Sequence, residues 1–224
     1  MKEVEKMEKP EKCPNCLKSI PLCMCAHIQP AQTKLQVLIL QHPQEPDEAL
    51  SSARLAHLAL PNSTLKIGLS WPNLKAALGK EAIPSRWVVL YLGSGIQGEP
   101  TSSGLQFVSK KGAPIVSPPR AELDGIILLD GTWSQAKTLW WRNAWLLKVK
   151  RAILKPSQPS LYRELRKEPR KECLSTIETI AETLTSLGEP QTVSDSLKTL
   201  FSELLKKRRT QPKPGARPTA EEKN

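Results

Sequence analysis

A chain of 224 residues with a formal charge of +11 has room for one sizeable core, a small appendage and a tail, and it holds no run of about 18 apolar residues to cross a bilayer. Its start, MKEVEKMEKPEK, is charged and lacks the apolar block of a secretory signal, so the expected location is the cytoplasm. The charge is concentrated: ten Lys or Arg against two Glu lie between Arg142 and Lys171, and seven against two between Lys206 and Asn224, a localised field suited to a polyanion such as nucleic acid.

Residues 1–12 read as disordered. Four of the five cysteines follow within CPNCLKSIPLCMC: Cys13, Cys16, Cys23 and Cys25. In a reducing compartment, C-x2-C and C-x-C pairs surround a Zn²⁺ tetrahedrally, and four thiolates leave no open position, so the ion is expected to be structural. Cys173 is expected to be a small buried residue. The LQVLIL run, Leu35 to Leu40, predicts the first strand, and Pro46 to Leu60 a helix. Arg54 and His57 share a face of that helix, either to meet a phosphate or simply solvated. Leu65 to Leu69 is a weaker strand, and Arg86 to Leu92 another, stopped by Gly93-Ser94-Gly95. A connection rich in Lys and Pro leads on to residue 125.

The stretch Gly125 to Trp145, GIILLDGTWSQAKTLWWRNAW, reads as a strand buried on both faces, a turn at Asp130-Gly131-Thr132-Trp133, and a helix with Ser134 as its N-cap. In open α/β sheets such strand-to-helix turns are where ligands bind. Trp140, Trp141 and Trp145 are expected to pack. Lys148 to Leu154 predicts another strand, and Ser157 to Lys171 a basic loop with Arg163, Arg166 and Arg170. Ser175 and Glu178 have the spacing of a capping box on a helix to about Leu187, which Gly188 stops. A last helix is predicted from Val193 to Lys207, and a basic disordered tail over 208–224. Strands alternating with helices predict an α/β class with a mainly parallel sheet.

Four pieces in one order, CPNC…CMC, QHPQE followed by ARLAHLALPN, LLDGTW, and RKEPRKECLSTIE, resemble the DTW-domain family of tRNA-uridine aminocarboxypropyltransferases over roughly residues 11 to 190. The chain departs from the family's common pattern at Ser51-Ser52-Ala53, where Asn-Thr is frequent, and at Leu92-Gly93-Ser94-Gly95, where a proline is common. The resemblance implies a SPOUT-like α/β fold with a knotted cofactor site, spanning 31–207, and a zinc-binding element at 13–30. It further implies transfer of the 3-amino-3-carboxypropyl group of S-adenosylmethionine to N3 of a tRNA uridine, releasing methylthioadenosine.

Under that resemblance Asp130 is the base or N3–H acceptor, and burial beside Trp133 is expected to raise its pKa. Trp133 stacks on a base or belongs to the core, and Thr132 bonds backbone or donor. The donor-binding set is Leu92, Gly93, Leu129, Asp130, Gly131, Ser175, Thr176 and Ile177, the last three through amides at a helix start. The tRNA-backbone candidates are Arg54, Arg142, Lys148, Lys150, Arg163, Arg166 and Arg170. Two rivals stand beside this reading: a SPOUT-type RNA methyltransferase and a zinc-bearing RNA-binding module without chemistry. A metal-dependent hydrolase is disfavoured, because the cysteine cluster is coordinatively closed and the three histidines are scattered. No oligomeric state is assigned.

Overall fold

A computed structural model describes residues 11–45, 50–90, 104–156, 158–162 and 174–211. Apolar runs become strands β1 (Gln36–Gln41), β2 (Ser63–Ile67), β3 (Trp87–Leu90), β4 (Gly104–Val108), β5 (Gly125–Asp130) and β6 (Lys150–Lys155). They form one sheet in the order β2-β1-β5-β3-β6-β4, in which every pairing is parallel except that of β4 with β6. The expected class, α/β with a mainly parallel sheet, is what the described residues form.

β1 and β5 lie side by side inside the sheet, and their side chains alternate between two apolar layers. Val37, Ile39, Ile126 and Leu128 enter one layer with helices α1 (Ala53–Ala59), α4 (Thr176–Ser186) and α5 (Gln191–Arg209). Leu38, Leu40 and Ile127 enter the other, with α2 (Leu74–Leu78), Trp87 and Trp145. Cys13, Cys16, Leu22 and Met24 belong to the first layer, so the cysteine segment is built into the main core. Gly125 is required where β5 begins: a Cβ there would stand 2.6 Å from the Trp87 ring and 2.7 Å from the Gln36 carbonyl oxygen.

Several boundaries differ from expectation, each for a local reason. The helix expected from Pro46 starts at Ala53; residues 46–49 lie outside the described residues, and Leu50 to Ser52 are not helical. The Leu50 carbonyl accepts from Tyr162 Oη at 2.6 Å, and the Ser51 carbonyl accepts from Lys18 Nζ, so these acceptors bond other elements instead of a helical turn. α3 (Trp133–Arg142) is capped by Thr132, not Ser134: the Thr132 hydroxyl accepts from Gln135 N, and the Gln135 side chain accepts from Thr132 N at 2.6 Å. It stops at Arg142, short of Trp145, where the Asn143 side chain donates to the Leu139 and Leu69 carbonyls and accepts from Trp71 N. Strand β4 and helix α2 occupy stretches where neither was expected.

Trp145 is buried at 7 % exposure, but Trp141 stands out at 79 %, which corrects the expectation that it packs. The Ser175–Glu178 capping box is formed, and Gly188 ends its helix at φ 83°. Among the described residues no helix is long and apolar enough to cross a membrane.

Candidate functional site

Parallel register sets Gln41, the last residue of β1, beside Asp130, the last residue of β5. Because both share the pleat of the α1/α4 face, their side chains meet. Gln41 Nε2 donates to Asp130 Oδ2 at 2.7 Å and to Ser51 Oγ at 3.3 Å. Thr176, at the start of α4, donates its hydroxyl to Asp130 Oδ1. The carboxylate is therefore held from two directions, by a strand 89 residues earlier and a helix 46 residues later. Asp130 is 7 % exposed and Gln41 1 %. A buried carboxylate is tolerated only when hydrogen-bonded in this way.

The turn after Asp130 is fixed by contact. His42 N donates to the Asp130 carbonyl at 2.9 Å. A Cβ on Gly131 would lie 2.8 Å from Gln135 Cβ and 3.3 Å from His42 Cβ, so only glycine lets the first turn of α3 close against the β1 end. Gln135 Nε2 reaches Gln44 Oε1 at 3.1 Å, tying α3 to the same loop. Trp133 is partly exposed and Thr132 exposed on that turn, while Leu129 is partly buried and packs on the α2 layer.

The start of α4 is bonded largely within the protein. Ser175 is 4 % exposed, and Glu178 accepts from both its N–H and its hydroxyl. Ile177 N donates to Ser52 Oγ at 3.1 Å, and Glu178 N to Ser175 Oγ at 3.3 Å. Two of the N–H groups at this helix start are thus directed at protein oxygens.

The four cysteine sulfurs lie within 4.8 Å of one another. Cys13 and Cys25 Sγ are 3.6 Å apart and Cys16 and Cys23 Sγ 3.8 Å, far beyond a disulfide bond of about 2.05 Å. A tetrahedral ion with metal–sulfur bonds of about 2.3 Å requires edges of about 3.8 Å, so this donor set fits one. The backbone N–H groups of Cys16 and Asn15 pull the Cys13 thiol down to about 6, whereas burial, followed by Cys13 itself, pushes Cys25 up to about 12. Cys13 is ready as a thiolate, whereas Cys25 needs a cation's charge to ionise. Leu17, at φ 58°, turns the loop between the two halves.

This knuckle is wired to the Asp130 corner. Lys18, 4 % exposed, donates to the Ser51 carbonyl, and Arg54 Nε donates to the Asn15 carbonyl at 3.0 Å. Ser51 then meets Gln41, which meets Asp130. Cys16, Lys18, Gln41, Ser51, Arg54, Leu65 and Ile67 line a cleft of about 10 Å³, room for a single water.

Of the basic candidates, Arg142 and Lys148 are exposed, Lys150 donates to the Ser85 carbonyl, and Arg54 is directed at the knuckle. Leu92, Gly93, Arg163, Arg166, Arg170 and Cys173 lie outside the described residues. Gln41 was not singled out from sequence; its signal is a polar residue ending an apolar strand next in register to another.

Residues 10–209 match the DTW domain. The chain is 30 % identical over 199 residues to the tRNA-uridine aminocarboxypropyltransferase 2 of Mus musculus, covering 87 % of this chain and 62 % of that protein. It is 26 % identical over 210 residues to the protein of that name from Macaca fascicularis, with the same two shares, and 28 % identical over 180 residues to that of Drosophila melanogaster, covering 79 % and 66 %. The chain thus spans about three fifths of the length of the first of these relatives. No solved structure matches it.

His57 gives a pH test of the geometry. Its Nδ1 lies 2.8 Å from Ser63 Oγ, and burial, followed by the Arg54 charge, lowers its pKa from 6.5. Below 6.5 the unfolded chain binds a proton that the folded chain refuses, so stability falls as pH drops from there towards the depressed value. The variant His57→Gln should show a flatter loss of stability over that window, read as denaturation midpoints at stepped pH; an unchanged slope would contradict the assignment.

Proposed function

The chain belongs to the DTW-domain family, and on that footing we propose that it transfers the 3-amino-3-carboxypropyl group of S-adenosylmethionine to N3 of a uridine in tRNA. The observation that carries this reading is the fixed carboxylate of Asp130 at the carboxyl edge of the sheet, within a chain similar to proteins named for that transfer. The donor, when bound, supplies a sulfonium whose γ-methylene carbon is the electrophile. The N3–Cγ bond forms as the Cγ–S bond breaks, the sulfur leaves as the thioether of methylthioadenosine, and the N3 proton passes to a base.

Asp130 is that base, or the acceptor that orients N3–H. Gln41 and Thr176 fix the direction of its oxygens before substrate arrives, so little reorganisation is left for the reaction. Trp133 offers a partly exposed ring at the mouth of the turn for base stacking. Thr132 serves by capping α3, and Gly131 by letting that helix close on His42. Ser175, Thr176 and Ile177 border the donor at the α4 start and Leu129 from the end of β5, with Leu92 and Gly93, outside the described residues, in the same proposed set. Arg142 and Lys148, with Arg163, Arg166 and Arg170, meet phosphates.

The SPOUT-like knot belongs to the same reading. Its support is the chain's return after β6: Tyr162 bonds Leu50, Ile177 bonds Ser52 and Thr176 bonds Asp130, which brings the late segment against the chain that follows β1 and the end of β5. The four cysteines hold Zn²⁺ as a structural ion, supported by their tetrahedral edges and closed donor set. The location proposed with this reading is the cytoplasm.

Three measurements test these roles. Nucleoside mass spectrometry after incubation with S-adenosylmethionine and unmodified tRNA should show a uridine heavier by the aminocarboxypropyl group; a methyl increment would instead make this a methyltransferase. Asp130→Ala should reduce product at least about 10²-fold while donor binding stays measurable, and near-normal turnover would remove Asp130 from the chemistry. Purified protein should carry one zinc per chain by elemental analysis, and Cys16→Ser should lose it with a lower melting temperature; full zinc in that variant would refute the four-thiolate site.

A further inference from the structure

Helix α3 leaves the Asp130 turn and runs back along the sheet, burying Ala136 and Leu139. Its outward face carries Lys137 and, one turn further on, Trp141, with Arg142 adjacent; all three are exposed. Trp141 is 79 % exposed, the one aromatic residue among the exposed large hydrophobics of the described residues. Its neighbour Trp140 is partly buried, with the Arg151 guanidinium 5.0 Å from its ring centre. One indole is thus already paired with a cation, while the next presents its faces to solvent.

The surrounding charge says what such a ring meets. From Gly131 to Tyr162 the chain contains no Asp or Glu, and its basic residues are Lys137, Arg142, Lys148, Lys150, Arg151 and Lys155. A bare indole costs solubility, and a stretch of chain that carries cations and no acidic residue is complementary to a phosphate backbone, whose unstacked bases pack on aromatic faces. Eight residues of helix, about 12 Å, separate Trp133 from Trp141, so a strand whose uridine sits at the Asp130 edge reaches this ring a few nucleotides away.

We propose that Trp141 is a stacking platform for an unpaired base of the tRNA, flanked by Lys137 and Arg142 on neighbouring phosphates. This rests on the tRNA reading above and adds a surface to it, with Trp141 in a positioning role remote from the reacting atoms.

Binding of the full chain to unmodified tRNA, followed by fluorescence anisotropy at several salt concentrations, tests it. Trp141→Ala should weaken binding about tenfold with the salt slope unchanged, and Trp141→Phe should retain most of the affinity. Lys137→Ala and Arg142→Ala should each lower the salt slope by about one. Melting temperatures of the variants should match the parent, because these side chains are exposed. If the parent binds tRNA and Trp141→Ala binds equally well, the platform is refuted and the ring belongs to another partner. If the parent does not bind tRNA, the substrate reading itself fails.

Discussion

The hydrogen bond from Gln41 to Asp130 joins the ends of two neighbouring parallel strands, and most of the site is arranged around it. A carboxylate at 7 % exposure must be paired to persist. Here one donor comes from β1 and another from α4, so the carboxylate cannot settle unless both elements are docked. The same Gln41 amide also reaches Ser51, whose carbonyl is held by Lys18 of the cysteine knuckle. The knuckle, the 50–52 segment, β1, β5 and α4 therefore converge on one acid. Under the proposed reading, an ion at the four sulfurs would act by fixing this scaffold, without touching a substrate.

The pleat divides labour between the two faces of the sheet. Residues 37, 39, 41, 126, 128 and 130 share the side of α1, α4 and α5, which carries the acid and its supports. The opposite side carries α2, α3 and the tryptophans, and its outer surface is basic without acidic residues over residues 131–162. Under the proposed reading, an acid at the strand ends and the exposed Lys137 and Arg142 of α3 suit a small donor near the α4 start and a polyanion along α3.

Much of this was legible in the sequence, and what was not has physical reasons. LQVLIL and GIILLD announce their strands because parallel strands buried on both faces must be continuously apolar. Ser175 and Glu178 announce a helix start because a capping box is local chemistry. β4 escaped because Gly104–Val108 mixes polar and apolar residues on an antiparallel edge, and α2 because five residues give too little period to read. Thr132 and Ser134 were both competent caps; the choice fell to Gln135 closing the box on Thr132 and to Gly131 allowing the approach. Gln41 was invisible as a site residue because its partner lies 89 positions away and only the register joins them. Trp141 was open to a stricter use of periodicity, since Ala136, Leu139 and Trp140 define the inward face and leave position 141 outside it.

Placement of the carboxylate, beyond its mere presence, is the central claim, and Asp130→Glu tests it most directly. That change keeps the charge and the chemistry while moving the oxygens by one methylene, away from the Gln41 and Thr176 donors. Its single-turnover rate on unmodified tRNA, in protein shown to be folded and donor-binding, should fall about 10²-fold, the scale expected of a misplacement near 1 Å. A rate equal to that of the parent would show that the strand-end clamp does not govern the reaction.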